Sequence, residues 1–420
     1  MEKERSYLCV DLKSYYASVE CVERGLDPLT AKLVVADPER TEKTICLAVS
    51  PAMKALGVKN RCRVFEIPEG IDYIMAKPRM ALYMQYAARI YGIYLRFVAE
   101  EDIHVYSIDE VFMDITDYCG ARGLTAKGFA AALLHEIYRC TGLTATCGLG
   151  SNLYLAKIAL DIMSKRTPDH IGILNEESYR RILWDHRPLT DFWRIGPGTE
   201  RRLARLGIFD MGGVAHANED ALYKSFGIDA ELLIDHAWGR ETTTMADIKS
   251  FRPRSKSLSR GQILIRDYDY QTGRIVVREM AEDLALELFE KGLEAKTVDL
   301  SLGYTYRGDR PPAHGSAALE LPCSSVRTLA DAAQGLYDRI MAREDTIRRI
   351  NLCYGGVRER GGLQLGLFEG AEAQQREERL QRAMVSIRKK YGKNGLLKAM
   401  DLQEGATQME RNRQIGGHRA

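Results

Sequence analysis

Two hydrophobic periods alternate along this chain. Runs in which every residue or every second residue is apolar read as strands, and stretches with apolar residues three to four apart read as helices. The segment SYLCVDL is a short strand ending at Asp11, and YYASVECVERGL follows with helical spacing and stops at Gly25. KLVVA and TICLAVS read as buried strands, and PAMKALGV as a short helix with Pro51 in its first turn and Gly57 at its end. The pattern then predicts a long amphipathic helix over residues 79–100, a hairpin over IHVYSIDEVFMDIT and a helix over 126–140. TATCGLG is a strand, and Ser151 or Asn152 caps the helix LYLAKIALDIMSK. These elements form one α+β unit up to about residue 165, interrupted by a small insert near residues 22–76.

Residues 166–240 are mostly short helices and include FWRIGPGTERRLARLGI, a hydrophobic-Gly-x-Gly turn between two helices. Gly196 and Gly198 would let backbone N–H groups approach a phosphate at a helix N-terminus, although the same glycines serve an ordinary turn equally well. Downstream, SLSRGQILIRDY is a strand, 272–292 a helix, AKTVDLSLGYTY and AALELP strands, SVRTLADAAQGLYDRIMA a helix and TIRRINLCYGGV a strand. That order, β-α-β-β-α-β, is the ferredoxin-like plan. Beyond Val357 the chain turns Gly- and Gln-rich and ends in a basic, helix-prone tail. Its last twenty residues carry few apolar anchors and are expected to be poorly ordered.

Composition narrows the class. The 420 residues are 45% hydrophobic and 28% charged, ample for several cores. No apolar run approaches the ~20 residues that span a bilayer, and the charged start MEKERSYLCVDL has no signal-peptide pattern. Nine cysteines without a Cys-x-x-Cys pair argue against a zinc site or a disulfide framework and suit a reducing cytosol. Net charge is only +2, so a nucleic-acid binder must concentrate its basic residues locally. The window KSFRPRSKSLSRGQILIR, residues 249–266, does so, with six basic residues and no acids; charge alone also allows a solvated linker.

The chemistry centres on YSIDEVFMDIT, residues 106–116, where Asp109 and Glu110 stand side by side between apolar runs. Adjacent like charges hinder one another's ionisation unless a cation neutralises them. Asp11, at the end of the first strand, is the natural third carboxylate. Such a triad of hard oxygens suits magnesium together with a phosphate substrate. An isolated acidic turn at the surface is the bland alternative.

CVDLKSYYASVE together with YSIDEVFMDIT resembles the Y-family translesion DNA polymerases, the UmuC/DinB-like or ImpB/MucB/SamB family. GLGSNLYLAKIALDIMSK and RIGPG resemble two further motifs of that family, in order, and AVSPAMKALGVKNRCRVFEIP looks most like its Gram-positive UV-damage-repair branch. The resemblance covers residues 6 to about 357. It implies a multidomain α+β right-hand fold: palm at 1–21 and 77–165, small fingers at 22–76, helix-hairpin-helix thumb at 166–240, and ferredoxin-like little finger at 241–357. A C-terminal tail occupies 358–420.

The resemblance also implies roles. Asp11, Asp109, Glu110 and the backbone carbonyl of Leu12 match the ligands of two Mg2+ ions, with Mn2+ able to substitute. Tyr16 matches the gate that excludes a ribose 2′-hydroxyl, Tyr15 beside it is a further nucleotide-binding candidate, and Lys157 matches a triphosphate-binding lysine. Pro51 and Lys54 stand where many relatives carry a Tyr and an Arg, so Lys54 can neutralise phosphate only as a point charge. The reaction implied is attack of a primer 3′-hydroxyl on the α-phosphate of a deoxynucleoside triphosphate, dominated by positioning and charge neutralisation. No exonuclease motif set is recognisable, which implies synthesis without proofreading.

Gly196, Gly198, Arg254, Lys256 and Arg260 are the expected contacts to primer–template DNA, salt-sensitive and indifferent to sequence. QLGLF resembles the bacterial sliding-clamp peptide, with Gln364 and Leu365 preceding the apolar anchors Leu367 and Phe368. The expected partners are therefore primer–template DNA, deoxynucleoside triphosphates, the β sliding clamp and accessory SOS proteins, with no membrane and a cytoplasmic, nucleoid-associated location. Two other readings use parts of the same pattern: a non-catalytic DNA- and clamp-binding adaptor, and a palm-fold nucleotidyl cyclase.

Overall fold

The computed structural model describes residues 5–37, 39, 42–253, 256–305, 311–361 and 371–419. It divides into two compact units, Met1–Phe251 and Arg252–Arg419.

In the first unit the strands β1 (Tyr7–Leu12), β5 (Ile103–Val105), β6 (Glu110–Asp114), β7 (Ala145–Gly150) and β8 (Ile171–Leu174) form one sheet in the order β5-β6-β1-β7-β8. Tyr7–Val10 is buried throughout, which is why the central strand reads as a continuous apolar run. The helices α1 (Tyr15–Val22), α3 (Met80–Tyr94), α4 (Tyr118–Ala121), α5 (Ala126–Thr141) and α6 (Leu153–Ile158) belong to the same region. Asn152 caps α6 by accepting the Leu155 N–H at 2.8 Å. The glycines of TATCGLG bring α6 onto the sheet. A Cβ on Gly148 would lie 2.0 Å from the Ala156 carbonyl oxygen, and one on Gly150 2.2 Å from the Ala156 nitrogen. Helix and strand backbones therefore touch, and Lys157 is carried down to the end of β1. The helix then widens into a π turn over Ala159–Met163.

Between α1 and α3, the strands β2 (Leu33–Val35), β3 (Ala48–Val49) and β4 (Ile74–Ala76) make a separate small sheet, ordered β3-β2-β4. With α2 (Pro51–Ala55) they enclose a core of Val34, Val49, Met53, Val58 and Ile67. A helical region follows the main sheet: α7 (Glu176–Leu183), α8 (Pro197–Arg205), α9 (Met211–Ala215), α10 (Glu219–Phe226) and α11 (Asp229–Ala237). Two boundaries differ from the sequence reading. The main sheet continues past residue 165, because β8 pairs in parallel with β7. Helix α12 (Met245–Ser250) joins the first unit, because Met245 packs with Tyr7 and Phe112.

The second unit follows the expected β-α-β-β-α-β order: β9 (Leu258–Tyr268), α13 (Tyr270–Glu290), β10 (Leu293–Tyr304), β11 (Ala313–Cys323), α14 (Val326–Ile340) and β12 (Ile347–Gly355). Its sheet is antiparallel throughout and ordered β11-β10-β12-β9, so the first strand lies at an edge. Both helices cover one face, over a core that includes Val276, Met280, Leu284, Leu329 and Tyr337.

The tail is built into this unit, against the expectation of poor order at its end. After the short β13 (Arg358–Glu359), the tail carries α15 (Ala371–Tyr391), α16 (Gln408–Arg411) and the hairpin of β14 (Gln414–Ile415) with β15 (His418–Arg419). Its anchors are mainly polar, which is why a search for apolar anchors missed them. Arg388 reaches Asp283 at 2.9 Å, Lys398 reaches Glu282 at 2.7 Å, and Glu279 accepts the Thr407 N–H at 2.9 Å.

Candidate active site

The pairing of β1 with β6 sets Asp11 directly opposite Glu110. Cross-strand partners share a face with Cβ atoms ~4.5–5.5 Å apart, so register alone joins acids from distant parts of the chain. Asp109 stands one residue before β6, and its carbonyl accepts the Leu12 N–H at 3.0 Å. Ser107 fixes the turn: its hydroxyl donates to Asp109 Oδ1 at 2.6 Å and accepts the Glu110 N–H at 3.1 Å. Asp11 is pushed up to about 7, first by burial and then by the charges of Asp109 and Glu110.

Lys157 partly compensates. Its Nζ donates to Glu110 Oε2 at 2.9 Å and to Asp161 Oδ1 at 3.0 Å, while Cys9 Sγ lies 3.3 Å from Glu110 Oε1. Burial alone would lower the Lys157 pKa, but the surrounding negative groups outweigh it and raise it. Lys54, on α2, donates to Ser14 Oγ at 2.8 Å. Ser14 caps α1 in the left-handed region, at φ 50. Burial lowers the Lys54 pKa; the charge of Asp11 opposes this shift, and those of Lys165 and Lys13 add to it. Lys157 and Lys54 therefore both feel the charge at Asp11.

Tyr16 is half-buried, and burial together with the charge of Asp109 raises its hydroxyl pKa. Tyr15 is a correction. Its side chain belongs to the core, with the hydroxyl donating to the Tyr83 carbonyl at 2.5 Å, so it packs where a freely exposed contact was expected.

Gly196 is the N-cap of α8 and Gly198 is in its first turn; a Cβ on either would meet nothing within 4 Å. Their small size leaves room outside the helix end and serves no internal packing. Trp193, just before this turn, donates its Nε1–H to the Tyr106 hydroxyl at 3.1 Å, which ties the turn to the hairpin bearing Asp109.

In the second unit Lys256 is exposed. Arg260 departs from the expectation of a DNA contact. It is ion-paired to Asp283 and Glu287 on α13, because strand alternation turns it to the helix-covered face with Leu264. Arg254 and the peptide Gln364–Phe368 lie outside the described residues.

Sequence reasoning missed Cys9, Ser14, Ser107 and Asp161. The period-2 rule places Cys9 on the face of Asp11, and helical spacing places Asp161 one turn after Lys157. Nothing local marks Ser14 or Ser107.

Among the described residues no group of three or more His, Cys, Asp or Glu side chains is already arranged around a metal position. The donor chemistry nonetheless fits a hard divalent cation: three carboxylates stand at one sheet end, and burial, followed by the charges of the other two, raises the pKa of Asp11. Glu110 is paired with Lys157.

Residues 10–161 match the impB/mucB/samB family and residues 255–367 its C-terminal domain. The protein named "Putative UV-damage repair protein UvrX" of Bacillus subtilis (strain 168) is 32% identical over 418 residues, covering 99% of this chain and 98% of that one. "DNA polymerase IV 2" of the same organism is 29% identical over 427 residues, covering both chains fully. "DNA polymerase IV" of Pelotomaculum thermopropionicum is 28% identical, covering 96% of this chain and 97% of that one. A solved structure, "Y-family DNA polymerase chimera Dbh-Dpo4(243-245)-Dbh", shares the fold with a TM-score of 0.67 at 21% identity, over 84% of this chain and 99% of that chain. The fold is therefore that of a multidomain Y-family polymerase. The chain belongs to the impB/mucB/samB family.

Proposed function

We propose that this chain is a template-directed DNA polymerase of the translesion class, which adds deoxynucleotides to a primer 3′-hydroxyl opposite damaged templates without proofreading. The observation that carries the reading is the β1–β6 register, which sets Asp11 against Glu110 with Asp109 bonded to the backbone of Leu12. An adaptor that only held DNA would have no use for mutually repelling, half-buried acids at one sheet end.

Asp11, Asp109, Glu110 and the Leu12 carbonyl would hold divalent ions, two Mg2+ or Mn2+ in their place. When bound, such ions supply the positive charge that acidifies the 3′-hydroxyl and neutralises the triphosphate. The chain's own residues do the rest. Lys157 and Lys54 stand within reach of the same acids and neutralise phosphate as point charges. Lys54 does so without the planar two-pronged grip of an arginine. Tyr16 lies against the sugar and excludes a 2′-hydroxyl.

In this reading the main sheet is the palm, the small β3-β2-β4 sheet the fingers, the helices from α7 to α11 the thumb and the second unit the little finger. Gly196, Gly198 and Lys256 contact duplex backbone. The peptide Gln364–Phe368 engages the β sliding clamp, and accessory SOS proteins are further candidate partners. No described helix is long and apolar enough to cross a membrane, and a cytoplasmic, nucleoid-associated location follows from the substrate.

The test is extension of a labelled primer on undamaged and damaged templates with Mg2+. Nucleotide addition is expected on both. DNA binding without any addition would overturn the polymerase reading in favour of the adaptor. Deleting Gln364–Phe368 should remove stimulation by the clamp and leave basal synthesis unchanged.

A further inference from the structure

The ring of Tyr16 stacks on that of Tyr83 in α3, with centroids 4.6 Å apart and planes 26° from parallel. Tyr83 is fully buried, and its hydroxyl donates to Glu20 Oε1 at 2.7 Å. Glu20 is also fully buried. Arg79 grips it through Nε at 2.9 Å and Nη2 at 2.8 Å, and Arg24 adds a further bond. Tyr16 and Glu20 are four residues apart on α1, so both face α3. A second staple joins the helices where the Tyr86 hydroxyl donates to Glu23 at 2.7 Å.

A buried carboxylate is costly unless fully paired, and apolar side chains would join two helices at lower cost. What Glu20 and its arginines add is a fixed position for the Tyr83 ring. A gate excludes a 2′-hydroxyl only if its own ring cannot retreat. A tyrosine in the first turn of a helix, half-exposed and otherwise free to change rotamer, retreats easily. A locked, close-packed ring behind it removes that freedom.

We infer that Tyr83, held by Glu20 and Arg79, is a positioning residue that sets sugar discrimination by keeping the Tyr16 ring in place. This rests on the reading of Tyr16 as the sugar gate.

The test is single-nucleotide insertion by the full-length protein, with deoxy- and ribonucleotides measured side by side. Tyr83→Leu should lower the ratio of kcat/KM for deoxy- over ribonucleotide about tenfold, the scale of one lost aromatic pair. Deoxynucleotide kcat should be retained. Tyr83→Phe, which keeps the ring and loses the anchor, should move the ratio about two- to threefold, on the scale of one hydrogen bond. If Tyr83 acts through Tyr16, Tyr83→Leu has no further effect in a Tyr16→Ala background.

An unchanged ratio, an equal loss for both sugars, or the same loss without Tyr16 overturns the inference. Should Tyr83→Leu not fold, as judged by circular dichroism, Tyr83→Phe and Glu20→Gln decide by the same ratio and the same double-variant comparison. If Tyr16→Ala itself leaves discrimination intact, the gate reading falls and the inference with it. A permissive Tyr16→Ala beside an unchanged Tyr83 series removes the inference alone.

Discussion

Two buried acids, one in each unit, behave in opposite ways. On α13, burial pushes Asp283 up, but Arg260, Arg411 and Arg388 outweigh it and hold the carboxyl below its ordinary value. At the end of β1, burial is again the largest influence on Asp11. There the nearest acids add to it, one buried lysine cannot cancel them, and the carboxyl rises to about 7. Burial is common to both; the supply of positive charge decides the direction. The α13 cluster is neutralised by the chain itself, and the bonds it makes attach the tail. The other is left short of positive charge, which is where a cation and a polyanionic substrate can add what the fold withholds.

Neutralising an acid in each cluster tests this contrast. Asp109→Asn or Glu110→Gln should lower single-turnover primer extension about 10^3-fold or more, the scale of several kcal/mol of lost charge stabilisation. DNA affinity, read by fluorescence anisotropy, should be unchanged. Asp283→Asn should leave Arg260, Arg388 and Arg411 facing a weakened partner. A cost of about 3–5 kcal/mol to the second unit is expected, seen in denaturant unfolding and in faster proteolysis within residues 371–419.

Added Mg2+ should stabilise the first unit by about 2.7 kcal/mol at a hundred times its dissociation constant. A chelator should abolish both this rise in melting temperature and primer extension. The rise should survive in Asp283→Asn and be lost in Asp109→Asn.

Acid should produce the smallest effect. Asp283 is depressed in the folded state, so its contribution is complete above its unfolded pKa of about 3.9 and is lost as pH falls below it. Glu279 and Asp401 are raised, chiefly by burial, and act in the opposite sense, which makes the change shallow. Proteolysis of the tail should increase at low pH, and the increase should flatten in Asp283→Asn.

Much of this was legible in local pattern. The β-α-β-β-α-β order of the second unit followed from alternating periods, and the acid pair in YSIDE followed from charges where a turn residue would normally stand. The face of Arg260 was legible too: it is an even number of residues from Leu258 and Leu264, so alternation turns it towards the helices. Charge density in the window 249–266 concealed that parity. The order of the tail was not legible, because Arg388, Lys398 and Thr407 find their partners on α13 more than a hundred residues earlier.

By itself the sequence determined most of the strands and helices before residue 357, with β8 an exception, and that Asp11 and the 109–110 pair stand at strand ends. Those are properties of neighbours along the chain, set by side-chain period and size. The tertiary structure alone decided that β1 meets β6 with Asp11 opposite Glu110, that β9 takes an edge, that Tyr83 backs Tyr16, and which acids receive a cation from the chain. Each depends on which distant segments pair and in what register, and the local pattern leaves that open until the whole chain has packed.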